Sequence, residues 1–372
     1  MTEAVFTFRD EFSVARPTAV ETAPVEPVFE GNNDIWLEKL PLELRYRIRI
    51  DEPMSAHTTY KVGGPADYFF AARSVDDCRH ILAAVEAVEI PMIVAGLGSN
   101  MLVSDRGFRG LILNIGADWT GIEKLNIEQV AKRYGLSADK IRAELELLGR
   151  GDYPGDLGSD PVFLIAQAGT PLVDVAAFAR ARDLAGLEFA CGIPGSVGGA
   201  AIMNAGAYGG SIEQTALFSV SLNRKGELYL TGAGDRPFFY RSSHFKNAGA
   251  IVTEVAFVVR PGDPELIRSR TENFTQRRNR SQPLDLPSAG SVFKRPRNDC
   301  YVGPMIDNCG LKGLRVGDAQ VSEKHANFIV NVGAATAADI RSLIAMVKKR
   351  VFEEYGEVLE PEICFIGDFD AE

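Results

Sequence analysis

"CGIPGSVGGAAIMNAGAYGG", Cys191–Gly210, is the stretch on which the reading of this chain turns. It is made of glycine, proline and small residues, yet it does not follow G-x-G-x-x-G. From Gly192 the spacing is G-x-x-G-x-x-G-G. Glycine reaches positive φ and removes the side chain that would hold a ligand at a distance. Successive bare N–H groups in such turns form a cradle for an anion. Gly192, Pro194, Gly195, Ser196, Gly198 and Gly199 carry this pattern, and Asn204 continues it in "MNAGAYGG". A second turn of the same kind, "AGLGSN" (Ala95–Asn100), follows the apolar run "MIV" and offers Gly96, Gly98, Ser99, Asn100 and then Met101. Two such loops fit the two phosphates of a dinucleotide. The alternative is a pair of tight turns that hold nothing.

Working outward, the texture alternates between strand and helix. "ADYFFAA", "MIVAG", "MLVS" and "GLILNI" read as strands around a helix in "VDDCRHILAAVEAVEI". "VFLIAQAG", the hairpin "FSVSLNRKGELYLT" and "GAIVTEVAFVVRPG" read as further strands, with a helix in "LVDVAAFARARDL". "DPELIRSRTENFTQRRNRSQ" reads as a helix with a basic end. "HANFIVNVG" and "EICFIG" read as strands. "TAADIRSLIAMVKKRVFEEYG" reads as an amphipathic helix capped by Thr336, with Ile340, Leu343, Ile344, Val347 and Val351 on its apolar stripe. The mixture is not strictly alternating, so the expected class is α+β.

Two segments stand apart. Residues 1–39 read as a tail without steady periodicity, as in "ARPTAVETAPVEPVFEGNN". Residues from about 121 to 161 read as a helical insertion. In it "NIEQVAKRYGLSADKIRAELELL" gives a helix, a Gly135 turn, a Ser137 cap and a second helix, with Ile127, Val130, Tyr134, Leu136, Ile141, Leu145 and Leu148 on one side. Its rhythm also fits a DNA-binding helix-turn-helix. A helical hairpin between strands is the simpler reading, because the 372-residue chain carries a formal charge of −10.

That charge argues against nucleic acid as the main partner. No apolar run reaches the roughly 20 residues that span a bilayer, and "MTEAVFTFRDEF" resembles neither a secretory signal nor a mitochondrial presequence. A cytoplasmic monomer without membrane or nucleic-acid partners is expected. The five cysteines form no C-x-x-C and the four histidines no H-E-x-x-H, so no metal is expected.

The motifs "HTTYKVGGPADYFF", "GLGSNMLVSDRGFRGLIL", "GLEFACGIPGSVGGAAIMNAGAYGG", "YRSSHFK", "QPLDLPSAGSVFKRP", "GLKGLRVGDAQVSEKHANFIVN" and "LEPEICFIG" occur in that order. Together they resemble the UDP-N-acetylenolpyruvoylglucosamine reductase family of peptidoglycan synthesis, in its shorter branch, over roughly Leu40 to Gly367. The tail and the insertion depart from the family pattern. The resemblance implies an FAD-binding domain of the PCMH/vanillyl-alcohol-oxidase type over 40–262 and a smaller α+β substrate-binding domain over 263–372. It implies non-covalent FAD, NADPH as electron source, and reduction of the enolpyruvyl ether of UDP-N-acetylglucosamine to UDP-N-acetylmuramate.

Hydride addition to the vinyl carbon leaves negative charge on the next carbon, shared with the carboxylate. Such a site needs a cation at the carboxylate and an acid at that carbon. By the resemblance, Arg241 of "YRSSHFK" polarises the carboxylate, Ser291 of "AGSVF" donates the proton from a strand start, and Glu362 of "EPEICFIG" assists, with Glu360 as the fallback. For the diphosphate and uridine the sequence offers Arg277, Arg278 and Arg280 of "QRRNRSQ" and Lys294 and Arg295 of "FKRP". Of these, Arg280 and Lys294 are the binding candidates, with Tyr240, Gln320, His325 and Asn327. The competing reading is another PCMH-type flavin oxidoreductase, such as an oxidase with FAD tethered through His57 or Cys191. A non-enzymatic binder using the insertion is a third.

Overall fold

The computed structural model describes residues 35–148, 161–235, 237–297 and 300–369. Most of the segment read as a tail lies outside the described residues. Its end does not behave as a tail: Trp36 and Leu37 are buried with Leu40, Leu44 and Tyr68. An indole that packs edge-on against Tyr68 at 5.1 Å removes too much apolar surface from water to stay loose.

Two sheets form the first part of the molecule. The smaller is ordered Arg49–Pro53, Pro65–Ala71, Phe108–Asn114, Met92–Ala95. Its first pair is antiparallel and the other two are parallel. Helix Val75–Glu86 covers it; Ser74 caps that helix by accepting from the Asp77 N–H at 3.1 Å. The larger sheet runs Leu228–Gly232, Ala216–Leu222, Ile251–Pro261, Val162–Gln167, Ile122–Leu125, antiparallel throughout. Strand Leu184–Ala185 pairs with the end of the long central strand.

The larger sheet is buried on both faces, which is why "VFLIAQ" is apolar at every step instead of alternating. Leu164 and Ala166 pack with Leu172, Val175 and Val197 on one side. Phe163 and Ile165 pack with Val130, Tyr134 and Ile141 on the other. The insertion therefore covers the second face of this sheet. It comprises helices Ile127–Tyr134 and Ala138–Leu148, with Gly135 in the left-handed region at φ 65. Part of it is not helical: Ile122–Leu125 forms the edge strand. The Tyr134 hydroxyl donates to Glu254 Oε1 at 2.9 Å and Arg133 pairs with Glu254 Oε2 at 2.7 Å, which fixes the hairpin to the central strand.

The C-terminal part holds a three-stranded antiparallel sheet, Arg315–Val316, Ala319–Val321, Ile329–Asn331. Helix Ala337–Tyr355 packs on it, with a capping box between Thr336 and Asp339 and Gly356 ending it at φ 66. The expected stripe of Ile340, Leu343, Ile344, Val347 and Val351 is wholly buried. Packing runs across the expected 262/263 boundary at several places. Helix Pro264–Ser281 packs on Leu172–Arg180 and Glu188–Ala190, and the last strand, Cys364–Ile366, pairs in parallel with Met101–Val103.

Candidate active site

Between the two sheets and the C-terminal part lies a cleft of about 850 Å³. Both glycine-rich loops line it. From the first come Gly96, Gly98, Ser99, Asn100 and Met101; from the second, Pro194, Gly195, Ser196, Gly198 and Gly199. The loops abut so closely that serine side chains of each fill the space a Cβ would take at a glycine of the other. A Cβ at Gly96 would sit 2.5 Å from Ser196 Oγ, and one at Gly195 would sit 2.8 Å from Ser99 Oγ. Gly199 is different: a Cβ there would meet only Ser196 Oγ at 3.5 Å, so its bare backbone faces the cleft. Gly192 and Asn204 are not on the cleft wall. Gly192 makes room for Arg278, and Asn204 holds the loop together, accepting from the Glu213 N–H and donating to Phe239 O, each at 3.0 Å.

Three distant segments deliver the polar groups. Phe238–Phe239 and Ser242–Ser243 form a hairpin whose two-residue turn is Tyr240-Arg241. Arg241 occupies the left-handed region at φ 53, an uncommon conformation for a residue with a Cβ. Its Nε lies 2.7 Å from Glu362 Oε1, with both side chains largely buried. Burial raises the Glu362 carboxyl above its ordinary range, against the opposing pull of Arg241.

Ser291 lies beside Gly290, which is at φ 77. It is not at a strand start, as its sequence context suggests, but in an isolated bridge to Phe328. Asn327 explains how that segment holds without a ladder: its amide accepts from Phe293 N–H at 3.1 Å and donates to Phe293 O at 3.0 Å. The Glu362 N–H donates to Val292 O at 2.7 Å, bringing the glutamate alongside the serine segment. Asn100 Nδ2 donates to Glu362 O at 3.1 Å, which links the first glycine loop to the same place.

Ser291, Arg241 and Glu362 thus line one cleft with the glycine loops. Glu360 does not; it is exposed and pairs with Lys294 at 3.3 Å. Tyr240 is half exposed and its hydroxyl accepts from the Arg295 N–H at 3.2 Å. Gln320 donates to Gly313 O at 3.4 Å. His325 accepts from Asn327 N–H at 3.2 Å and packs edge-on against Phe328. None of Tyr240, Arg280, Lys294, Gln320, His325 and Asn327 lines the cleft; Arg278 does, with Gln282, Arg224 and Lys246. Gln282 is the extended residue that caps the helix bearing Arg278, its N–H donating to the Arg278 carbonyl. Lys246 sits inside the quoted "YRSSHFK"; nothing local marks Arg224.

Neither tether residue reaches the cleft. His57 Nε2 lies 2.7 Å from Glu52 Oε1 and its ring stacks on Phe69 at 4.2 Å. The Cys191 thiol points to Thr271 O and Thr275 Oγ1, in a separate cavity of about 230 Å³.

A raised carboxyl pKa stabilises the fold fully while the group is protonated, and that contribution is lost as pH rises through the raised value. Wild-type apoprotein should therefore lose Tm relative to Glu362→Gln as pH rises from the ordinary glutamate value through the raised one. In the variant Arg241 faces a neutral amide at every pH, which adds only a constant offset. A wild type that gains on the variant would show the ion pair outweighing burial.

Glycine-rich loops abutting across a long cleft, one of them opening its backbone to it, are what a flavin dinucleotide needs. Comparison with known proteins agrees: the model of the FAD binding domain family matches residues 157–228. A second model, of the UDP-N-acetylenolpyruvoylglucosamine reductase C-terminal domain, matches 282–366. Curated reductases of that name are 40% identical over 86% of this chain and 94% of their own length in Agathobacter rectalis, and 38% identical over 87% and 96% in Syntrophomonas wolfei. The crystal structure of the reductase from Thermus caldophilus superposes with a TM-score of 0.64 at 31% identity, covering 86% of this chain and 99% of that one.

The chain is an α+β flavoprotein. It belongs to the UDP-N-acetylenolpyruvoylglucosamine reductase family.

Proposed function

We propose that this chain reduces the enolpyruvyl ether of UDP-N-acetylglucosamine to UDP-N-acetylmuramate, with NADPH as the electron source. The observation that carries this reading is the convergence of Arg241, Ser291 and Glu362 on the wall that the two glycine loops complete. FAD, held non-covalently along those loops and reduced by NADPH, would supply a hydride for the terminal vinyl carbon.

The protein's own groups handle the developing charge and the proton. Arg241 holds the substrate carboxylate with its planar fork and stabilises the negative charge that spreads onto it. Ser291 gives its hydroxyl proton to the carbon next to that carboxylate. Glu362 keeps the guanidinium aimed through its contact at 2.7 Å. The strained turn at Arg241 fits a group held in place for chemistry. The setting for this reaction is the cytoplasmic supply of cell-wall precursors, on which cell shape and division draw.

The test is spectroscopic. Under anaerobic conditions the flavin bands of the purified protein should bleach with NADPH and return on adding UDP-N-acetylglucosamine enolpyruvate. Acid precipitation should leave the flavin in the supernatant. Bands that return only with oxygen would favour an oxidase on this fold.

A further inference from the structure

Arg278 stands on the last turn of helix Pro264–Ser281 and lines the cleft. It has no ion-pair partner among the described residues, and burial pulls its guanidinium below the ordinary value. Half-buried, with no acceptor among the described residues, its donors are left for water or a ligand. The fold takes trouble to put it there. A Cβ at Gly192 would lie 2.6 Å from Arg278 Cδ, so only glycine lets the side chain through. Next to it, Tyr208 stacks on Phe274 at 4.6 Å with rings 4° from parallel, and Arg277 lies over Tyr208 at 4.8 Å. These contacts fix the rotation of the helix end.

Gln282 is one turn further on, its N–H donating to Arg278 O at 2.8 Å. It lines the same cleft, and its Oε1 is buried with no partner. An arginine fork and an orphaned carbonyl, from residues joined by a backbone hydrogen bond, therefore line the same cleft. A phosphate or carboxylate would satisfy the first and leave the second unmatched, because each offers acceptors only. A ligand edge that alternates C=O and N–H satisfies both.

We infer that Arg278 and Gln282 together grip the edge of a cyclic imide, Arg278 donating to a ring carbonyl and Gln282 Oε1 accepting from the ring N3–H. Two components of the proposed reaction carry that edge: the pyrimidine ring of the flavin and the uracil of the nucleotide substrate. The inference rests on the proposed function, which brings both to this cleft.

Methylating N3 removes the donor and leaves the rest of each ligand intact. FAD and 3-methyl-FAD are titrated into apoprotein by flavin fluorescence; UDP and 3-methyl-UDP are titrated into holoprotein by calorimetry. Each pair is measured on wild type and on Gln282→Leu. For the ligand that is gripped, methylation should weaken binding to wild type at least ten-fold and change binding to Gln282→Leu by less than about two-fold. Arg278→Met should weaken the same ligand at least ten-fold and the other hardly at all. A penalty confined to FAD assigns the grip to the flavin, and one confined to UDP assigns it to uracil. Equal methyl penalties in wild type and Gln282→Leu, with wild type still holding FAD tightly, overturn the imide grip alone. A wild type that binds no FAD overturns the flavin reading and the grip with it. A Gln282→Glu variant guards against misfolding: its carboxylate still accepts, so it should keep the wild-type preference for the unmethylated ligand.

Discussion

Ser291→Ala is expected to leave reduction of the flavin by NADPH within about two-fold of wild type and to slow reoxidation by the enolpyruvyl substrate by about 10²- to 10⁴-fold, the range that a positioned general acid supplies. The two half-reactions make different demands. Hydride transfer into the flavin needs no proton from the protein. The second half-reaction leaves a carbanion-like centre that stays high in energy until it is protonated. The acidic side chains on the cleft wall are Glu86, Glu89 and Glu362. Glu86 and Glu89 stand at the end of the helix over the smaller sheet, whereas the Glu362 N–H bonds the Val292 carbonyl next to Ser291.

Ser291 and Glu362 are the proton sources that stand together with Arg241 on the cleft wall. Glu362 is the competitor to take seriously, because burial raises its carboxyl. Its contact with Arg241 at 2.7 Å argues for the ionised form in the working site and against the donor role. Stopped-flow traces of the two half-reactions, on Ser291→Ala and Glu362→Gln, separate the assignments. If Ser291→Ala reoxidises normally while Glu362→Gln stalls, the proton comes from the glutamate. If Ser291→Ala loses both half-reactions equally, the serine is structural.

Gly98→Ala is expected to abolish FAD retention and to cost on the order of 3 kcal/mol of apoprotein stability. Gly98 sits at φ 65, and a Cβ there would fall on the carbonyl oxygen of His57. Backbone cannot step aside as a side chain can. The Gly98 carbonyl also accepts from the Thr59 N–H at 3.1 Å, so moving the loop pulls apart its tie to the "TTYKVGG" segment. Gly209→Ala is the control. It too has positive φ, 85, but a Cβ there meets nothing within 4 Å. It should cost only the left-handed strain, about 1 kcal/mol, and keep its flavin. Thermal unfolding and the bound-flavin absorbance of the two variants test the contrast. Equal effects in both would mean that strain alone, and not the packing of Gly98 against the His57 backbone, governs the cradle.

Much of the architecture was legible because it is locally written. The stripe on Ala337–Tyr355, the cap at Thr336 and the glycines of both loops depend on residues a few positions apart; the stripe and cap lie as expected, and the candidate glycines other than Gly192 line the cleft. The insertion hairpin was legible as two helices, but its job was not. That depends on the second apolar face of a sheet whose strands come from five places in the chain. The strand Ile122–Leu125 was missed because "IEKL" is half polar; an edge strand needs only one buried side. The end of the tail was misjudged because Trp36 and Leu37 find their partners in residues far along the chain.

The sequence by itself determined the family, the α+β class and the presence of two bare-backbone loops, since glycine placement and hydrophobic period are local properties. The tertiary structure decided which charges face the cleft. Arg278 and Arg280 are equivalent in composition and two residues apart, but a helix turns them about 200° from each other, and only Arg278 lines the wall. Asn327 was a candidate ligand by motif; folding spends its amide on the Phe293 backbone. Which way a side chain points is set by what the helix or loop packs against, and for this chain those partners lie tens to hundreds of residues away.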